Sequence, residues 1–255
     1  MSDQPAERVE LDGGPPTVEQ LTRLALHGYG HFTAMQVRER KVRGLAAHLD
    51  RLTRAHREMF GEAPDPDRIR WLVRHALADT AAASVRVLGT EAGLLVTVRP
   101  PAPPLPEQRL RSVPYQRPLP HLKQIGGGFG QTYYRNLVHP NGYTDALLTG
   151  RDGTISECGI ANVAFVDHVG VLWPNAPALA GITMTVLEPR LAAGGLPSRR
   201  GPVRLADVPG FRAAFVTNSH GVAPVTLVDD VSVPVDVDLV KTLDEIYETV
   251  PWDRI

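Results

Sequence analysis

Residues 100–120, PPAPPLPEQRLRSVPYQRPLP, carry eight prolines and no periodic apolar pattern. Proline fixes its own φ, gives no N–H to a helix or ladder, and pushes the preceding residue toward extended backbone. A stretch this rich in it reads as an extended connection between two parts that fold around their own cores. At 255 residues the chain is long enough for two modest domains. The organisation expected is a first domain over 1–105, a link over 106–120 and a second domain over 121–255.

Both flanks mix helical and strand patterns. Residues 29–43 read as strands of a small sheet. Leu45, Leu49, Leu52, Ala55 and Met59 recur at spacings of three and four, which predicts an amphipathic helix. A second helix is expected from Pro66 to Ala82, started by Asp65 or Pro66, and Val85–Leu88 with Leu94–Val98 predict a hairpin around GTEAG. Beyond the link, strands are expected at Asp145–Leu148, Ala161–Val166 and Ala213–Val216, with a hairpin over VDHVGVLW. Helices are expected at Thr183–Leu191, bent or ended by Pro189, and at Val237–Val250. The fold class is mixed α/β (α+β) in two domains.

Charge and cysteine content close off several functions. The formal net charge is −1, so the chain has no electrostatic footprint for nucleic acid or an anionic membrane. No apolar run approaches the roughly 18 residues of a spanning helix, and MSDQPAERVELDGG has neither the basic start nor the apolar stretch of a signal peptide. A cytoplasmic protein is the expectation. One cysteine excludes an internal disulfide and any multi-thiolate metal site. Lysine and arginine total 27, of which only Lys41, Lys123 and Lys241 are lysines. Arginine serves wherever a surface positive charge is needed, whereas a reacting amine must be lysine because arginine stays protonated. Only three residues can therefore be a side-chain amine nucleophile.

Familiar chemical motifs are missing. GGGFG at Gly126–Gly130 is followed by no Walker lysine and opens no G-x-G-x-x-G turn. His48, His121 and His220 do not fall at metal-ligand spacings, so no metal site is expected. Ser156 and Ser219 lack a G-x-S-x-G setting.

An ordered set of short segments points elsewhere. HLDRL (His48–Leu52) lies on the first amphipathic helix, Lys123 follows the link in HLKQIGGG, and Glu157 comes 34 residues later in TISECGIANVAF. ALAGITM (Ala178–Met184) opens a helix, and FVTNSHGVAPV (Phe215–Val225) ends a strand. Over roughly residues 29–230 this set resembles the fold-type IV pyridoxal-phosphate family. That family includes branched-chain and D-amino acid aminotransferases and aminodeoxychorismate lyase. The resemblance implies a small N-terminal α/β domain and a larger barrel-like C-terminal one, with pyridoxal 5'-phosphate as cofactor. Lys123 matches the Schiff-base lysine, and Arg51 the arginine on the cofactor phosphate, where a forked guanidinium suits a dianion. Glu157 matches the carboxylate that pairs with the pyridine nitrogen and keeps the ring an electron sink. Gly181, Ile182 and Thr183 match a phosphate-binding turn at a helix N-terminus, and Thr217, Asn218 and Ser219 a second phosphate loop. Asn162 matches a structural asparagine. Phe32, Thr33 and part of Gln124–Gln131 are expected on the substrate side.

The resemblance implies a class IV transaminase that moves an amino group between an amino acid or amine and a 2-oxo acid, working as a homodimer with its sites near the interface. Two alternatives stay open: a pyruvate-releasing lyase of the aminodeoxychorismate type, and a non-catalytic relative. Departures from the family pattern bear on substrate class. Met184 stands where an arginine is usual after GIT, and Gln36 where FTT-A-RV carries arginine. The glycine run and Tyr133-Tyr134 replace an asparagine–tyrosine pair. Cys158, next to Glu157, is expected to be a packing residue.

Overall fold

The computed structural model describes residues 7–125 and 128–255; Gly126 and Gly127 of the glycine run lie outside the described residues, as do residues 1–6 of the N-terminal stretch. The chain forms two compact units. The first comprises residues 7–103, 122–125 and 251–255, and the second comprises 104–121 and 128–250. Residues 122–125 and 251–255 therefore group with the first unit, where the sequence reading put them in the second domain.

The first unit contains β1 (Arg8–Leu11), α1 (Val18–His27), β2 (His31–Val37), β3 (Lys41–Arg43), α2 (Leu45–Phe60), α3 (Pro66–Leu77), β4 (Ala83–Thr90) and β5 (Gly93–Arg99). An antiparallel sheet runs β1-β5-β4-β2. Strand alternation sends Met35, Val37, Val85, Val87, Val96 and Val98 to one face. There they meet Leu49 and Leu52 of α2 and Leu72, Val73 and Ala76 of α3 in one core. The hairpin and α2 fall where the periodicity places them. The second helix starts as expected, with Pro66 at its first turn and the Asp65 carboxylate accepting from Asp67 N. It stops at Leu77 rather than Ala82, because Ala78 turns to φ +44 to bring the chain round to β4. Helix α1 has no counterpart in the sequence reading. It is announced by a capping box in which the Thr17 hydroxyl accepts from Gln20 N and the Gln20 side chain accepts from Thr17 N.

The second unit contains β6 (Gln108–Val113), α4 (Phe129–Val138), β7 (Asp145–Thr149), β8 (Ile155–Cys158), β9 (Asn162–Val166), β10 (Val171–Pro174), α5 (Ile182–Leu191), β11 (Ser198–Gly201), β12 (Ala213–Asn218), β13 (Gly221–Val228), β14 (Val231–Ser232) and α6 (Val237–Glu248). Its nine-stranded mixed sheet runs β11-β10-β9-β12-β13-β6-β7-β8, with β14 beside β13. Both faces of this sheet are buried at its centre. In β12, Ala214 and Val216 join a core with Leu110, Ile155, Phe165 and Val225. Ala213 and Phe215 point the other way, into a core with Trp173, Leu187 and Leu243 under α5 and α6.

The connection expected over 106–120 is corrected here. Gln108–Val113 is a strand held between β13 and β7, both parallel to it. The seven residues between Pro106 and Pro114 contain no proline, so nothing there denies the ladder a donor. The last strand, β15 (Trp252–Arg254), belongs to the first unit and pairs with β3.

Candidate active site

In the first unit the residues of interest gather around β2 and α2. The Lys123 segment lies along β2 as a short ladder: Phe32 N donates to Lys123 O at 2.8 Å and Ile125 N to Gly30 O at 3.0 Å. A Cβ at Gly30 would overlap Ile125 and approach the Gly89 carbonyl, so this close pairing requires glycine. Neighbouring strand residues point to opposite faces, and Phe32 and Thr33 are separated in this way. The Phe32 ring centroid lies 4.9 Å from Lys123 Nζ and 5.6 Å from the Arg86 guanidinium carbon. Thr33 is fully buried, its hydroxyl 2.7 Å from His48 Nδ1 on α2. That burial takes Thr33 out of a substrate-facing wall and makes it an anchor for His48.

Helix α2 buries Leu45, His48, Leu49, Leu52 and Ala55, with Arg51 one turn beyond His48. His48 is pushed down to about 3 by burial first, then by the positive charges of Arg51 and Lys123. Its imidazole is therefore neutral at physiological pH, and it marks Arg51 and Lys123 as two cations acting on one buried ring. His31, 3.2 Å from His56, is also pushed down, to about 4, by burial and then by His56. Each unfolded histidine binds its proton near 6.5 while these folded ones do not. Their stability contribution is thus complete above that value and is lost as pH falls toward 4. The loss amounts to about 1.4 kcal/mol per pH unit for each ring. Urea unfolding midpoints at pH 7 and pH 5 test this, and a flat profile would contradict it.

In the second unit Glu157 is on β8, opposite Leu148. Arg117 Nη1 lies 3.3 and 3.5 Å from its two carboxylate oxygens, and each of these side chains is 5% exposed. Leu179 N donates to Glu157 Oε2 at 3.4 Å, and Leu179 O accepts from Asn162 Nδ2 at 2.7 Å. Asn162 and Glu157 thus hold the Leu179 peptides between them, directly before the turn that opens α5. Gly181 is required in that turn, since a Cβ would overlap Asn162 Oδ1. Arg117 was not visible as a site residue in the sequence.

Helix α5 starts after Gly181 with no side-chain cap, so its first N–H groups have no partner within the helix. The Thr183 hydroxyl donates to Asn218 O at 2.6 Å and joins this helix start to the end of β12. Asn218 Oδ1 accepts from His220 N at 2.8 Å, an Asx-type turn with half-buried Ser219 inside it. Thr217 is 1% exposed, and its hydroxyl has no hydrogen-bond partner among the described residues. A buried donor without a partner is costly, and here it stands on β12 next to Asn218, whose carbonyl is joined to the uncapped start of α5 by the Thr183 hydroxyl. Such a cradle fits a phosphate dianion. The structure thus brings Arg51 and Lys123 together in one unit. In the other it brings together Glu157, Ile182, Thr183, Thr217, Asn218 and Ser219.

The departures have local explanations. Gln36 Nε2 donates to Ser84 Oγ and its carbonyl accepts from Ala102 N, so it ties the proline-rich stretch to β2. Met184 is packed in the core under α5. Tyr134 turns onto Tyr115 at 5.3 Å, while Tyr133 is exposed on α4. Cys158 is buried, and burial, then Asp145 and Glu157, push its thiol well above the usual range. It is a packing residue, as expected.

A sequence model of the class IV aminotransferases matches residues 30–228. No curated protein matches the sequence significantly. Among solved structures, a hypothetical aminotransferase from Mycobacterium tuberculosis superposes with a TM-score of 0.83 at 20% identity, covering 96% of this chain and 98% of that one. It has also been solved bound to PLP, and bound to PMP with alpha-ketoglutarate. A branched-chain aminotransferase from Thermoproteus uzoniensis with norvaline gives 0.80 at 18% identity, covering 95% and 94%. A putative 4-amino-4-deoxychorismate lyase from Legionella pneumophila gives 0.79 at 18%, covering 89% and 93%.

Proposed function

The chain belongs to the class IV aminotransferase family, and from that premise we propose that it moves an amino group from an amino acid or amine to a 2-oxo acid, with pyridoxal 5'-phosphate as cofactor and Lys123 as its covalent anchor. The observation that carries this reading is the phosphate-shaped cradle in the second unit: the partnerless, buried Thr217 hydroxyl beside the uncapped start of α5. Ile182 and Thr183 main-chain N–H groups, the Thr217 hydroxyl and the Asn218–Ser219 turn would hold the phosphate, and the Arg51 guanidinium would add charge. Glu157, ion-paired with Arg117 and accepting from Leu179 N, would accept a hydrogen bond from the pyridine nitrogen. When bound, the cofactor supplies an electron sink for the pair left at the substrate Cα. Lys123 Nζ would take the Cα proton and deliver it to the cofactor carbon joined to the substrate nitrogen, and the Phe32 ring beside it shapes the substrate side. Arg86, next to the same ring, gives a substrate carboxylate a charged partner.

The protein acts as a homodimer in the cytoplasm. Phe129, Tyr133 and Leu137 support the dimer, since they stand exposed along one row of α4 at spacings of four. Among the described residues no helix is long and apolar enough to cross a membrane.

The test is a visible spectrum of the purified protein with a panel of L- and D-amino acids and amines. A pyridoxal band that shifts to the aminated cofactor with one donor class is expected. Pyruvate release without an acceptor would mark the lyase instead, and absence of any pyridoxal band would mark a non-catalytic relative. Thr217→Val keeps the shape and removes the hydroxyl, so cofactor affinity is expected to fall about tenfold, the scale of one hydrogen bond to a charged group. An unchanged titration curve would remove Thr217 from the cradle.

A further inference from the structure

Helix α2 opens at Gly44, which has φ +71, makes no side-chain cap bond and is followed by no acidic residue in the first turn. The missing acceptor comes from 208 residues away: Leu45 N donates to Asp253 Oδ2 at 3.0 Å. Asp253 is itself held firmly. It lies in β15, which pairs antiparallel with β3 through Trp252↔Arg43, Asp253↔Val42 and Arg254↔Lys41. The Arg43 guanidinium carbon lies 4.5 Å from the Trp252 ring centroid, a stacking that ties the strand to the residue just before Gly44. On the far side of Asp253, Ile255 is buried in the same core as Leu45 and Leu49.

We propose that residues 251–255 are a positioning segment for the cofactor site, in which Asp253 fixes the first turn of α2 and, through it, His48 and Arg51. This rests on the reading of Arg51 as a phosphate contact. A carboxylate at a helix N-terminus satisfies an otherwise partnerless N–H and opposes the helix dipole, two effects confined to the first turn. That turn ends at His48, whose ring is pinned to the Thr33 hydroxyl, and Arg51 follows on the next one. The rest of α2 has its own anchors: Leu49, Leu52 and Ala55 are buried, and Gly61 closes the far end with its N–H on Arg57 O. Loss of the cap therefore frays the start of the helix and leaves the unit folded. The fraying reaches His48, the buried ring on which the Arg51 charge acts, and through that residue it alters the setting of Arg51; Asp253 acts without touching the cofactor.

The full-length protein, freed of cofactor and titrated with pyridoxal 5'-phosphate, tests the proposal alongside amide exchange of residues 45–49. Asp253→Ala is expected to speed exchange there and raise the Kd for the cofactor roughly fivefold, the scale of one N-cap. Asp253→Asn, which also caps helices, should restore both readouts, a rescue that general destabilisation would not give. Arg51→Gln serves as the reference. If Arg51→Gln weakens the cofactor while Asp253→Ala changes only exchange, or changes neither readout, the positioning role is overturned. If Arg51→Gln leaves the Kd unchanged, the reading of Arg51 has failed, and the positioning role falls with it.

Discussion

Lys123→Ala is expected to abolish the pyridoxal absorption band and to cut turnover by about 10²–10⁴ from the lost proton transfer alone. Borohydride should no longer fix cofactor to the variant. The other two lysines are the controls. Lys41 pairs with Glu39 at 3.3 Å, and Lys241 with Glu245 one helical turn on at 3.7 Å. Exposed pairs of this kind contribute roughly 0–1 kcal/mol, and arginine would serve as well in either. Lys123 is placed differently: its backbone is laddered onto β2, and its amine lies beside Phe32. Lys41→Arg and Lys241→Arg are therefore expected to retain full activity. Cofactor still fixed by borohydride to Lys123→Ala would show that another amine carries it.

How much of this was legible in the sequence depended on whether the information is local. HLDRL, GIT and TNS each lie on one element or turn, and TISECGIANVAF runs over the two adjacent strands β8 and β9, so their residues are legible from short stretches of sequence. The capping box at Thr17–Gln20 and the proline-free run between Pro106 and Pro114 were equally local. Neither α1 nor β6 stands out in the sequence, because a polar N-terminal stretch surrounds the first and a dense proline signal the second. Thr33 was misplaced for a simpler reason. Placing Phe32 and Thr33 together on the substrate side ignores the strand period of two, which puts Thr33 under α2 when Phe32 faces Lys123. Asp253 and Arg117 are different in kind. Asp253 caps a helix 208 residues earlier in the sequence, and nothing in WDRI marks a cap. Arg117 sits among prolines in a chain with 24 arginines, so neither its type nor its spacing distinguishes it.

Arg117 carries the second large expectation. Its guanidinium and the Glu157 carboxylate are buried together, and breaking such a pair from one side leaves a charge in a low-dielectric interior. Arg117→Met is expected to lower stability by about 3–5 kcal/mol and to lower turnover as well, because Glu157 loses the group that sets its orientation. Stability loss alone could produce both results, so the informative variant is the double one. Replacing both partners by apolar residues, Arg117→Met with Glu157→Leu, removes the pair without stranding a charge, and stability should recover to near the parent value. Turnover should not recover if, as proposed, the Glu157 carboxylate is what faces the pyridine nitrogen. Denaturant midpoints and initial rates on the four proteins of this cycle separate the two roles. A double variant that is both stable and active would show that Arg117 and Glu157 serve only the packing of β8 against the loop before α5.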